Sequence, residues 1–196
     1  MRILTFSIKG GVAKSSISYS LFQMLDNFQV ITNDKGNGYN IVIPDDMYYL
    51  IPDGAEIPIF DDENNVIYDM GGYPDPRLKA FIKKNPSMII LIPFLPDLLS
   101  FQSALKTYNE IKELGNENII FVISRTKKGD YDLFSNQMKE MGINKAVLEL
   151  KESKLFQNMW NKKESIKKVK DNKLLNYSYK EVLNQLETLK KEVLKW

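Results

Sequence analysis

Two apolar runs leave this chain few choices of fold. Residues 87–93 read SMIILIP and residues 118–124 read NIIFVIS. Neither alternates polar with apolar, so a strand made from either must be covered on both faces, as in a parallel sheet between helical layers. The flanking segments agree. Residues 2–8, 28–32, 65–69 and 145–150 read as further strands. Ile17, Leu21, Met24 and Leu25 are spaced for one helical face over 14–26. Helices are predicted over 75–85, opened by Pro76, over 97–114, and over 130–141, ending near Gly142. Helical segments then fill about 155–161, 164–172 and 177–196. Residues 34–64 read as irregular, with short strands near 47–51 and 56–60 and a hairpin across Pro52-Asp53-Gly54. Such βα repetition predicts an α/β fold: one domain over 1–196, with a mostly parallel twisted sheet covered by helices on both faces. Ligands of such sheets sit at the carboxyl ends of the strands.

Composition narrows the chemistry. The 196 residues contain no cysteine and no histidine, which excludes disulfides, thiolate chemistry and histidine-bound metals. The net charge of +2 hides an asymmetry. Residues 1–150 carry 15 Lys/Arg against 19 Asp/Glu, whereas residues 151–196 carry 12 against 6. A basic helical region therefore begins at about residue 151, suited either to a polyanion or to plain solvation. No signal-peptide pattern or membrane-length apolar run is evident, so a cytoplasmic protein is expected.

The chemistry concentrates where the first strand ends. Lys9-Gly10-Gly11-Val12-Ala13-Lys14-Ser15-Ser16 joins that strand to a helix. Free N–H groups and the positive helix end make such a turn an anion site. The glycines allow a tight turn near a phosphate. Lys14 is placed for outer phosphates, Ser15 for Mg²⁺, and Ser16 for a phosphate oxygen. Asp69 ends a neighbouring strand and suits Mg²⁺, directly or through water. The common Gly-x-x-x-x-Gly-Lys-Ser/Thr rule is not met, because Ile8 and Ala13 stand where it wants glycines.

KGGVAKSS resembles the deviant Walker A motif of the ParA/MinD family of partitioning and positioning ATPases, and most of all its short, ParF-like plasmid partition forms. The likeness implies a P-loop NTPase fold using ATP and Mg²⁺. It makes Gly10, Gly11, Val12, Ala13, Lys14, Ser15 and Ser16 the phosphate loop. It gives Lys9 a role across an ATP-sandwich homodimer. The family's Asp-x-Asp stretch reads Thr32-Asn33-Asp34 here, so Asp34 matches the hydrolytic aspartate and Thr32 replaces the first one. Asp69-Met70-Gly71-Gly72 matches the Walker B strand end and its switch. Lys9, Lys14 and Asp34 are thus the catalytic candidates, with Ser15 and Asp69 at the metal. Arg125 is a candidate for adenine or phosphate. Segments 35–40 and 70–77 are the expected switch loops.

The same resemblance implies slow ATP hydrolysis without a partner, nonspecific DNA binding by the ATP dimer, nucleoid association in that state, and a centromere-binding adaptor of ParB type. Lys162, Lys163, Lys167, Lys168, Lys170 and Lys173 are the expected DNA surface, extended by Lys190, Lys191 and Lys195. No helix-turn-helix signature is evident. Two alternatives stand beside this reading: a MinD-like membrane-associated positioning ATPase using residues 180–196, and an ATP-binding scaffold for a conjugation or secretion complex. In the former, Val182, Leu186, Leu189 and Val193 face the membrane; otherwise they dock on the sheet. A nitrogenase-iron-protein relative is excluded by the missing cysteines.

Overall fold

The computed structural model describes residues 1–60, 64–72 and 75–196. Among them, β1 (Arg2–Thr5), β2 (Phe28–Thr32), β3 (Tyr48–Leu50), β4 (Asn65–Asp69), β5 (Ile89–Phe94), β6 (Ile119–Thr126) and β7 (Ala146–Lys151) form one sheet. The order is β3-β2-β4-β1-β5-β6-β7, and each neighbouring pair is parallel. β4 returns between β2 and β1, which sets Asp69 level with both Thr5 and Thr32. The carboxyl end of β4 therefore meets the loops that follow β1 and β2.

Helices close both faces. One layer contains α1 (Lys14–Met24), α6 (Lys154–Asn161), α7 (Ile166–Asp171) and α8 (Lys173–Val193). Their apolar residues pack with Ile3, Val30, Ile67, Leu91 and Val122. The other layer contains α3 (Pro76–Lys84), α4 (Leu98–Glu113) and α5 (Asp130–Glu140), over Leu4, Ile31, Tyr68, Ile92 and Phe121. Odd and even strand positions thus feed two cores, which is why the runs lack alternation. All six residues of β5 are buried. Each such aliphatic side chain contributes roughly 2 kcal/mol of transfer free energy.

Several boundaries move for local reasons. β1 stops at Thr5 rather than residue 8: Phe6 N–H still donates to Leu91 O at 3.0 Å, and the chain bends away at Ile8. The hairpin across Pro52-Asp53-Gly54 is replaced by a parallel edge strand: Val30 pairs with Tyr48, and Ile51 N–H donates to Thr32 O at 2.8 Å. The chain reaches β3 by crossing over through α2 (Tyr39–Val42) and a 3₁₀ turn, Asp45–Met47, which a hairpin reading cannot accommodate. Residues 56–60 form no strand, although Ile57 is buried against the α3 side. Residues 61–63 of the expected irregular span lie outside the described residues. α8 starts at Lys173, not 177, because Asn172 Oδ1 accepts from the N–H groups of Leu174 and Leu175 at 3.1 Å.

The C-terminal apolar stripe is spent on the core. Val182, Leu186, Leu189 and Val193 are buried, so they have no free face to offer a membrane. Among the described residues, no helix is long and apolar enough to cross a membrane.

Candidate functional site

The loop after β1 is built to leave donors free. Ala13 stands at the N-cap of α1 with φ 69°, and no side chain caps that helix. Its first N–H groups keep their capacity for an anion. Gly11, at φ 74°, supplies the left-handed turn ahead of it. Lys14 Nζ folds back over the loop, donating to Lys9 O at 3.1 Å and more loosely to Ser7 O at 3.5 Å. Burial pushes the Lys14 pKa down, and the charges of Asp69 and Asp34 push it back up. One ammonium therefore faces two carboxylates from two other strand ends.

The loop is held from three sides. Ser124 Oγ lies 3.0 Å from Val12 O and 3.1 Å from Phe94 O, which ties the loop to β5 and β6. Ile8 N–H donates to Thr107 Oγ1 of α4 at 3.3 Å. Gly72 presses on it from below, where an added Cβ would lie 2.8 Å from Ile8 O, 3.2 Å from Ser7 O and 3.3 Å from Gly10 N. Asn33 Oδ1 accepts from Gly71 N–H at 2.8 Å, so the turns after β2 and β4 are joined. Residues 73 and 74 of the second expected switch segment lie outside the described residues.

A cleft of about 590 Å³ opens above this loop, lined by Gly10, Gly11, Ala13, Lys14, Ser15, Ser16, Asp34, Gly71, Gly72 and Arg125 among others. The structure thus brings together most of the residues singled out from sequence. Val12 is fully buried and does not line the cleft; its carbonyl serves the Ser124 anchor. Lys9 stands outside the lining, paired with Asp97 at 3.3 Å. Asp97 is also the N-cap of α4, accepting from Ser100 N–H at 2.8 Å. Arg125 reaches the cleft through a register shift between Ser124 and Thr126, where its φ is 57°. The bulge turns its side chain out of the ladder. Arg125 also lines an adjoining cavity of about 220 Å³ with Ala13, Ser16, Phe156, Gln157 and Trp160.

Asp69 is buried, 2% exposed, and does not itself line the cleft, although its charge acts on Lys14, which does. Its Oδ2 accepts from the Tyr39 hydroxyl at 2.9 Å, while Oδ1 is buried without a hydrogen-bond partner. The Ser15 hydroxyl is close enough to help stabilise the charged carboxylate, although it makes no well-formed bond to Oδ1. A buried carboxylate oxygen left open beside a serine hydroxyl suits a magnesium ion, which takes one or two protein oxygens and fills its shell with phosphate and water. Burial pushes the Asp69 pKa up to about 6, against the weaker downward pull of Ser15, Tyr39 and Lys14. The folded state then binds this proton more tightly than the unfolded chain. Its contribution to stability is full below about pH 4 and is lost as pH rises through about 6, on the order of 3 kcal/mol. In EDTA, urea titrations should therefore show Asp69→Asn gaining on the unsubstituted chain between pH 4 and 7. A pH-independent gap between the two would contradict this environment for Asp69.

Asp34 is exposed in its turn, and its Oδ1 accepts from Gly36 N–H at 2.9 Å. Thr32 Oγ1 accepts from Asp34 N–H at 3.0 Å, so the Thr32 hydroxyl shapes the turn. The sequence gives no individual role to Tyr39, Asn33 or Thr107, although Tyr39 falls in the expected switch segment 35–40 and Asn33 in Thr32-Asn33-Asp34. An aromatic residue inside a run of Gly and Asn was the only signal for Tyr39.

The basic residues fall on consecutive elements of the C-terminal region. Lys162 and Lys163 follow α6, Lys167, Lys168 and Lys170 lie on α7, and Lys173 opens α8. Five of these are exposed; Lys170 is half-buried and paired with Glu187. Lys190 donates to Met24 O at 2.7 Å and Lys195 pairs with Glu192; of the three outlying lysines, only Lys191 makes no hydrogen bond or ion pair among the described residues.

No protein-family model matches the chain, and no curated protein matches its sequence. Solved structures do match. A McdA variant from Cyanothece in complex with ATP superposes with TM-score 0.70 at 12% identity, covering 98% of this chain and 96% of that one. A plasmid partition protein from Borrelia burgdorferi bound to AMPPNP gives 0.62 at 16%, over 95% and 98%. MinD from Aquifex aeolicus gives 0.58 at 14%, over 95% of each chain. The fold is that of the ParA/MinD ATPases. At these identities the likeness shows the fold alone.

Proposed function

We propose that this chain is a Mg²⁺-dependent ATPase of the ParA/MinD type, acting as a single domain whose ATP-bound dimer binds DNA without sequence preference. One observation carries the reading: Lys14 and the uncapped N-terminus of α1 line one cleft with Asp34 from the turn after β2, and the buried Asp69 at the end of β4 acts on the same ammonium. Phosphates would lie against the loop N–H groups and the Lys14 ammonium. The adjoining cavity, with Arg125 and Phe156 on its wall, would take the base. Ser15 and Asp69 would hold Mg²⁺, which supplies charge neutralisation on the phosphates. Asp34, exposed beside Lys14, would orient water for in-line attack.

The Lys9–Asp97 pair is 33% and 45% exposed, so it is weak and readily exchanged. Lys9 would leave it to meet the phosphates bound by a second copy. The two basic C-terminal regions of one dimer would then engage DNA together, with strong salt dependence. Their lysines adjoin α6, whose Phe156, Gln157 and Trp160 line the base-side cavity. Light scattering tests the dimer. With Mg²⁺ and AMPPNP the mass should double, with ADP it should not, and Lys9→Ala should stay monomeric while still binding nucleotide. A mass that never changes in the nucleotide-bound protein would remove the bridge and leave a scaffold reading.

A further inference from the structure

Tyr39 occupies a place that neither the phosphate loop nor the strand-end carboxylates explain. It follows Gly38, which turns the chain with φ 73°, and opens the four-residue α2 just beyond the Asp34 turn. Its side chain is fully buried. Its hydroxyl lies 2.9 Å from Asp69 Oδ2 and 3.2 Å from Ser15 O. A phenol has one proton, and a carboxylate is the stronger acceptor, so the shorter contact takes it. The ring packs on Trp160 of α6 at 5.4 Å between centroids, on Tyr48 of β3 at 5.9 Å and on Tyr19 of α1 at 6.3 Å. Trp160 in turn packs against Tyr19, tilted, at 4.8 Å between centroids and lines the second cavity.

Resting on the nucleotide-site reading above, we propose that Tyr39 is a positioning residue: it ties down Oδ2 of Asp69 so that Oδ1 stays open for the metal, and it couples that carboxylate to α6 through Trp160. A carboxylate held at one oxygen cannot rotate freely, so its other oxygen keeps a fixed aim. Any shift of Asp69 on metal binding moves the phenol bonded to it, and the ring transmits that shift to Trp160. α6 bears the wall of the second cavity and leads directly into Lys162 and Lys163. The metal state is thereby readable where the basic region begins.

The test compares two affinities in the same protein. Calorimetry gives the AMPPNP affinity in EDTA, then the Mg²⁺ midpoint with AMPPNP bound. Tyr39→Phe keeps the ring and removes the hydroxyl. Its Mg²⁺ midpoint should rise about tenfold, the scale of one hydrogen bond to a charged group, while its AMPPNP affinity in EDTA stays within about twofold of the unsubstituted chain. A general packing defect would weaken both together. A Mg²⁺ midpoint unchanged in Tyr39→Phe, with nucleotide still bound, overturns the positioning role and leaves the nucleotide site intact. If the unsubstituted chain binds no AMPPNP in either buffer, the nucleotide reading itself fails and this role falls with it. Should Tyr39→Phe not fold, Trp160 emission decides alone. In a Trp196→Phe background, which removes the other tryptophan, adding Mg²⁺ to the AMPPNP complex should change the emission saturably; a flat trace overturns the coupling.

Discussion

Lys14→Ala should reduce affinity for AMPPNP by at least about 100-fold. The ammonium sits in a half-buried loop, anchored on Lys9 O and Ser7 O and facing Asp69 and Asp34. Removing one partner of a desolvated charge pair costs about 3–5 kcal/mol, and every 1.4 kcal/mol is about tenfold in affinity. The two carboxylates would also lose their shared cation, which raises the Asp69 pKa further. Apparent stability need not fall in parallel, because the buried Lys14 itself suffers a desolvation cost. Fluorescence or calorimetric titration reads the loss. An affinity within about threefold of the unsubstituted chain would place the phosphates elsewhere.

Gly72→Ala should damage the same site without touching a charged group. Its new Cβ would come within 2.8 Å of the Ile8 carbonyl, and all three nearest atoms belong to backbone. The backbone must shift, because no flexible side chain can yield. Overpacking of this kind costs about 1–3 kcal/mol, a fall of several degrees in melting temperature for a chain of this size. The displaced atoms belong to the phosphate loop, so nucleotide affinity should fall about tenfold or more. Gly10→Ala is the control, since a Cβ there meets nothing within 4 Å. It should leave the melting temperature unchanged. Equal melting temperatures for both variants would show that Gly72 does not brace the loop.

The contrast between these two glycines marks what a sequence displays. The chemical character of Lys9–Ser16 was readable, because a strand, a glycine turn and an uncapped helix are all local events. Asp69 was readable as a strand-end carboxylate for the same reason. The apolar runs gave the covered parallel sheet, because burial on both faces is written directly into composition. Long-range contacts were not readable. Nothing in Met70-Gly71-Gly72 says that one glycine is pressed on Ile8 while the other donates to Asn33. The β3 connection is not legible, because residues 34–64 hold turn residues and a four-residue helix, too short to show a period. Arg125 was found as a candidate, but its aim depends on a bulge. Tyr39 was hidden because its partners lie 24, 30 and 121 residues away, at Ser15, Asp69 and Trp160.

Titrating ATP into the unsubstituted chain, with Mg²⁺ and then with EDTA, tests the central claim most directly. A saturable heat with one site per chain, tightened by Mg²⁺, is the expected result. No heat up to millimolar ATP in either buffer would contradict a nucleotide site at this cleft. Binding of equal strength with and without Mg²⁺ would keep the phosphate loop and remove Asp69 and Ser15 as the metal's holders.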